Sequence, residues 1–336
     1  MTTQLVPVST DSPDERVIEQ AADVVLRGGL VAFPTETVYG LGADATNPKA
    51  VKNVFAVKGR PADNPLIVHI ASADQLHELG YNISHEASVL ARSFWPGPLT
   101  LVVRKKPVIP DIVTAGLDSV AVRFPRHPVP VALLKKVHYG MVGPSANLSG
   151  RPSPTTAQHV FEDLNGFVDM ILDAGPTHIG VESTVVDTTA SPPTILRLGG
   201  ISREDVESAV GTVRMATSSS ELRRSPGTRY RHYAPKARVE LIDEGNSTLL
   251  HGRLAEYRRN GSVVGAIVHT PGIASSVSEG HIVALSANIQ EYARKIFGAL
   301  RSLDALGVDV ILIERVNESG LGATVMDRLN RAAQPR

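Results

Sequence analysis

The sequence predicts a two-domain α/β protein, and three observations carry that prediction. At 336 residues the chain is too long for one ordinary core. Its last hundred residues alternate strand-like and helix-like stretches, the pattern of a small parallel α/β unit. Before that alternation the composition breaks: residues 216–228, ATSSSELRRSPGT, are serine-rich and short of apolar side chains, as a linker is.

In chain order, Ser12-Pro13-Asp14-Glu15 predicts a helix start, with Ser12 as N-cap and Pro13 at the first position. Val17, Ile18, Ala21, Ala22, Val25 and Leu26 form its apolar stripe, and Gly28-Gly29 ends it. The run 30–33 reads as a short buried strand, closed by the hydroxyl-rich turn Pro34-Thr35-Glu36-Thr37. Asn47-Pro48 opens a helix over 49–57. A cationic elbow follows, Lys58-Gly59-Arg60-Pro61, with Asn64-Pro65 just beyond. Residues 66–70 are the next strand. Helices are expected over 72–79, 83–94, 129–136, 155–164 and 202–210. Strands are expected over 99–103, 119–125, 170–173, 184–187 and 195–198. Beyond the linker-like stretch comes a segment dense in cations and aromatics, 229–236, which a pure spacer does not need. Strands at 239–242, 263–269, 281–285 and 308–313 then alternate with helices at 249–260, 289–306 and 323–333. There is no internal repeat.

Composition narrows the function. Lysine plus arginine (34) equals aspartate plus glutamate (34), so no global basic field draws the chain to nucleic acid. Cysteine is absent, which excludes disulfides, thiolate zinc sites and a cysteine nucleophile, and fits a reducing, cytoplasmic setting. The N-terminus lacks the pattern of a signal peptide, and no apolar run is long enough to cross a membrane. No P-loop, HExxH motif or aspartate-rich metal loop appears. Gly320-Leu321-Gly322 lacks the third glycine of a dinucleotide fingerprint and reads as a tight turn opening the last helix.

What remains is a set of polar residues at strand and loop ends. Lys58 and Arg60 are either a solvated surface pair or a preorganised anion site stiffened by two prolines. Arg123 interrupts an apolar strand, so it stands at a pocket mouth or has a buried partner. Ser145 and Asn147 lie in a Pro/Gly-flanked turn. Glu182, Ser183 and Thr184 begin a strand, and Arg197 sits between two leucines. His69 follows three apolar residues, where a core histidine is the alternative to a ligand group. Thr35, Thr37 and Asn64 complete the stretch from 34 to 69. Together these residues suit a triphosphate beside a small zwitterion.

PTETVYGLG, KGRPADNPLIVH, SVAVRFP, PSANLSG, ESTVVD and LRLGG, in this order, resemble the YrdC/Sua5 family, and SPGTRYRHYAP with the unit after it resembles the longer Sua5 branch. The resemblance implies a twisted, mixed-sheet catalytic domain with a concave basic cavity over 14–201. It further implies a linker over 202–237 that closes over the site, and a smaller Rossmann-like α/β domain over 238–336. It implies synthesis of L-threonylcarbamoyladenylate from L-threonine, bicarbonate and ATP with release of pyrophosphate, for threonylcarbamoyl modification of tRNA. Thr35, His69, Arg123 and Ser183 match positions that hold threonine. Lys58, Arg60, Asn64, Ser119, Ser145, Asn147, Ser153, Arg197 and Tyr233 match positions around ATP. No covalent nucleophile is implied; Lys58 and Arg60 would stabilise charge. Gly143 stands where some relatives carry a hydroxyl residue. Mg2+ is expected to arrive with ATP, without a tightly bound organic cofactor. The expected partners are the three substrates and the threonylcarbamoyl-transfer enzyme, with weak RNA contact at most and no membrane. An RNA-binding or ribosome-associated module is the competing class, and zero net charge with 4% aromatic residues weighs against it. Carbamoyl transfer in hydrogenase maturation also uses a YrdC-like domain, but those proteins carry cysteine zinc motifs.

Overall fold

A computed structural model describes residues 2–226, 232–277 and 280–334. By packing, the chain divides into a first unit, Met1–Ser149, Pro154–His178 and Glu182–Arg229, and a second, Gly150–Ser153, Ile179–Val181 and Tyr230–Arg336.

The first unit is built on one sheet. Its strands in chain order are β1 (Gln4–Pro7), β2 (Val31–Phe33), β3 (Gly40–Asp44), β4 (Ile67–His69), β5 (Gly80–Tyr81) and β6 (Leu99–Lys105). They continue with β7 (Ser119–Arg123), β8 (Met141–Val142), β9 (Met170–Asp173), β10 (Thr184–Asp187), β11 (Thr194–Arg197) and β12 (Arg214–Met215). Across the sheet the order is β1-β9-β2-β3-β8-β4-β7-β6-β10-β11-β12, with β5 on β6. The sheet is mixed. β4 and β7, and β6 and β10, run parallel, while β3–β8, β8–β4 and β7–β6 are antiparallel.

Helices Pro48–Lys58, His85–Phe94, Ala157–Leu164 and Arg203–Val210 lay their apolar sides on Leu41, Val68, Leu101, Val122, Val186 and Ile195 to form the main core. Helix Glu15–Leu26 and helix Pro128–Leu134 pack with Val31, Phe33, Met170 and Leu172 in a second cluster. Side chains alternate between the faces of a strand. The face of β4, β7, β6 and β10 turned from the main core therefore carries only a small apolar patch, Ile67, Val102, Ala121 and Val185, with Leu196.

The second unit is a parallel sheet of β13 (Arg238–Ile242), β14 (Val264–Val268), β15 (His281–Ala284) and β16 (Val310–Glu314), in the order β13-β16-β14-β15. One cluster joins helices Ile289–Ala305 and Leu321–Ala332 to Ile267, Ile311 and Ile313. Another joins helix Ser247–Arg259 to Ala266, Val268 and Leu312, so the sheet is covered on both faces.

Several expectations need correction. The first helix begins at Glu15 with Asp14, not Ser12, as its cap: the Asp14 carboxylate accepts the Arg16 amide at 2.8 Å, and Pro13 stays outside. Five strands went unread: β1, β3 and the two-residue β5, β8 and β12. β3 is glycine-rich because Phe33 of β2 lies across it: a Cβ on Gly40 would come within 2.8 Å of that ring, and one on Gly42 within 3.0 Å. At the start of the 202–237 stretch the expected helix is present, and an unread strand follows it. Ser202 and Asp205 form a capping box that starts helix Arg203–Val210, Val206 is buried in the main core, and β12 pairs with β11. Residues 227–231, which include Arg229, Tyr230 and Arg231 of the cation- and aromatic-rich segment, lie outside the described residues.

Candidate active site

The site is organised by strand register. β4 pairs with β7 so that His69 lies beside Arg123. β7 pairs with β6 with Val122 opposite Leu101, which puts Thr100 next to Arg123 on the other side. β6 pairs with β10, Thr100 beside Val185, and β10 with β11, Val185 beside Arg197. A row of polar side chains from His69 through Arg123, Thr100 and Ser183 to Arg197 therefore crosses the sheet. His69, Thr100, Arg123 and Ser183 share the face of the small apolar patch. All five are buried.

Each end of the row is braced. The Ser183 hydroxyl is 2.8 Å from that of Thr100, and Arg197 Nη2 donates to the Ser183 carbonyl at 2.8 Å and its hydroxyl at 3.2 Å. Arg197 Nη1 donates to the Pro226 carbonyl at 3.0 Å. Gly199 presses on the Ser183 backbone, where a Cβ would come within 2.2 Å of the carbonyl carbon; this is why a glycine follows Arg197-Leu198. Arg123 Nε donates to the Gly97 carbonyl at 3.3 Å and Nη1 to the Thr37 hydroxyl at 2.9 Å. Thr37 in turn is 2.8 Å from the Thr35 hydroxyl, which also donates to the Val38 carbonyl at 2.6 Å. The turn after Pro34 is thus a hydroxyl knot whose free end faces the guanidinium. Arg123 Nη2 lies 2.8 Å from Glu36 Oε2, so this arginine has the buried partner that one of its two sequence readings called for.

His69 rests on bare backbone. A Cβ on Gly143 would be 2.6 Å from its Nδ1, and Phe33 meets the imidazole edge-on at 5.6 Å. Burial first, and the Arg123 charge second, hold the His69 pKa well below the ordinary histidine value, so the ring is neutral.

From Gly143 the chain leads directly to the second half of the site. Ser145 bridges Gly40, and the Ala146 amide donates to the Tyr39 carbonyl at 2.8 Å. Lys58 reaches this turn from the last turn of helix Pro48–Lys58. That helix is started by the Asn47 side chain, which caps the amides of Lys49 and Ala50, and is ended by Gly59 in the left-handed region at φ 58°. Lys58 Nζ donates to the carbonyls of Ser145 at 2.5 Å and Asn147 at 2.6 Å. Burial, with Arg60 next, depresses the Lys58 pKa well below the usual lysine value, and Asp163 opposes this. Arg60 Nη2 donates to the Pro65 carbonyl at 2.9 Å and to that of Asn64 at 3.4 Å, so the elbow folds around its own cation. Neither Lys58 nor Arg60 is the solvated surface cation of the alternative reading.

Ser119 is on the same face of β7 as Arg123 but at the other end of the strand, roughly 13 Å away at strand rise. Its buried hydroxyl has no hydrogen-bond partner among the described residues. Ser153 and Tyr233 belong to the second unit. Tyr233 is buried there at φ 65°, stacked on Phe297 at 5.4 Å with the Arg328 guanidinium 5.0 Å from its ring centroid. Its ring is packed into the core of the second unit. Sequence reading passed over Thr100 and the role of Glu36; the available signals were a lone hydroxyl in an apolar strand and an acid within a hydroxyl turn.

Comparison with known proteins decides the family. A model described as "Telomere recombination", covering Sua5, YciO and YrdC, matches residues 23–199, and one described as the C-terminal domain of threonylcarbamoyl-AMP synthase matches residues 201–334. The chain belongs to the Sua5/YrdC family. It is of the two-domain Sua5 type. It is 46% identical to the threonylcarbamoyl-AMP synthase of Pyrococcus abyssi over 95% of both chains. It is 42% identical to that of Bacillus subtilis over 98% of this chain and 95% of that one. The crystal structure of P. abyssi Sua5 complexed with L-threonine superposes with a TM-score of 0.92 at 45% identity, covering 98% of each chain.

Proposed function

We propose that this Sua5/YrdC protein is an L-threonylcarbamoyladenylate synthase, joining L-threonine, bicarbonate and ATP with release of pyrophosphate to supply the threonylcarbamoyl modification of tRNA. The observation that carries the reading is that strand register lines up Arg197, Arg123 and His69 across one sheet, while the turn that starts at Gly143 beside His69 receives Lys58 at Ser145 and Asn147. The P. abyssi relative, whose structure holds L-threonine, supports the choice of amino acid.

In this reading Arg123 takes the threonine carboxylate, and Thr35, His69 and Ser183 orient the rest of the molecule. Lys58, Arg60, Asn64, Ser145, Asn147 and Arg197 surround the nucleotide, with Ser119 as a further contact. The threonine amine attacks the carbon of bicarbonate, with loss of water, and an oxygen of the resulting carbamate attacks the α-phosphorus of ATP, expelling pyrophosphate. Both steps crowd anions together. Prepositioned cations in a buried site lower the barrier by meeting that charge without reorganising. Mg2+ arriving with ATP would offset part of the triphosphate charge. The product passes to a threonylcarbamoyl-transfer enzyme. No helix among the described residues is long and apolar enough to cross a membrane.

The test is pyrophosphate release from ATP by the purified protein. Release that requires both threonine and bicarbonate is expected. No release with threonine at any bicarbonate level overturns the proposal. Salt-sensitive RNA binding without ATP turnover would instead support the RNA-binding class.

A further inference from the structure

Glu36 has no role in the reaction as described above, yet it sits in the middle of the amino-acid end of the site. Its side chain is 6% exposed and that of Arg123 5%, with Oε2 and Nη2 2.8 Å apart. Oε1 accepts the Arg126 amide at 3.1 Å. Oε2 accepts no hydrogen bond, and Nη2 donates none, among the described residues. The two charges attract, but their orientation leaves an open acceptor beside an open donor.

That arrangement is expensive. Burying two ions strips both of their hydration, and an unfilled buried hydrogen-bonding group adds a further desolvation cost. Native proteins seldom leave such groups open without a reason. A lone buried arginine would accept any carboxylate. With Glu36 beside it, the local charge is zero, and a simple anion gains little from the pair. A zwitterion is different: its carboxylate can accept from Nη2 while its ammonium donates to Oε2, and both open groups are then filled.

We propose that Glu36 is the ammonium subsite of the amino-acid pocket, and that the Glu36–Arg123 pair selects α-amino acids over carboxylates of the same shape. This rests on the amino-acid-activating reading above and adds to it a specificity-determining residue.

The test compares L-threonine with (R)-3-hydroxybutanoate, which is threonine without its amino group, by calorimetric titration of the full-length protein. The wild type is expected to prefer threonine by roughly 100-fold, the scale of a charge-assisted subsite. In Glu36→Gln, threonine affinity should fall roughly 10- to 100-fold, while (R)-3-hydroxybutanoate binds as well as before or better, so the ratio collapses. Glu36→Asp, which keeps the charge, should retain most of the preference. If both ligands weaken together in Glu36→Gln, the residue is merely structural and the subsite is refuted. If the wild type binds the two equally, the subsite is refuted without any variant, while the activating role stands. A wild type that binds neither ligand overturns the activating role, and the subsite with it.

Discussion

A Cβ placed on Gly143 would come within 2.6 Å of His69 Nδ1, 2.7 Å of Cε1 and 3.0 Å of the Phe33 ring. The absence of a side chain at 143 therefore sets where the imidazole lies. The ring cannot retreat into Phe33, so Gly143→Ala must swing it toward Arg123 or lift the 143–147 turn. Overpacking of this kind costs about 1–3 kcal/mol. We expect Gly143→Ala to raise the threonine KM roughly 10-fold, about 1.4 kcal/mol, with a smaller change in the ATP KM. Equal KM values in wild type and variant would mean that His69 has space to adjust and that Gly143 is neutral. At this scale Arg123 and Arg197 were legible in the sequence, because a charge inside an apolar strand demands explanation. Glu36 and Thr100 were less so. Each is unremarkable among its neighbours, and only register across β4, β7, β6 and β10 brings Thr100 beside Arg123 and Ser183.

Elements of the second unit are tied at their carboxyl ends by one buried acid. Glu314, the last residue of β16, accepts from the amides of Gly245 at 2.8 Å, His269 at 2.7 Å and Thr270 at 3.0 Å, and from the Thr270 hydroxyl. It thereby joins the loops that follow β13 and β14. Burial pushes the Glu314 carboxyl up, but the Thr270 hydroxyl and these amides outweigh it, and its pKa lies below the ordinary glutamate value. The folded pKa is below the unfolded value of about 4.3, so the stabilisation is complete above that pH and is lost as pH falls through the folded value. Glu314→Gln turns an amide donor toward other donors. It should lower stability by about 1–3 kcal/mol at neutral pH, seen as a lower Tm, with the deficit narrowing below about pH 4. A Tm unchanged at neutral pH, or a deficit that is the same at every pH, would contradict this account. The strands of this unit were readable from their apolar runs. β3 of the first unit was not: its glycines admit the Phe33 ring, and the same glycines remove the β-branched signature of a strand.

At the level of the whole molecule, length and the break in composition pointed to two units, and the structure has two. After residue 201 the helix was legible, but the two-residue strand β12 was too short to carry an apolar alternation. Phe297 and Arg328, far away in sequence, engage the Tyr233 ring, a packing that the HYAP motif by itself does not reveal. The central claim is that one face of the first sheet seats an amino acid against a nucleotide. It is tested most directly by a crystal structure of the protein with L-threonine and a non-hydrolysable ATP analogue. The account predicts the threonine carboxylate on Arg123 and the phosphates beside Lys58, Arg60 and Arg197, both ligands held by the first unit. Either ligand seated on the second unit, or phosphates out of reach of all three cations, would contradict it.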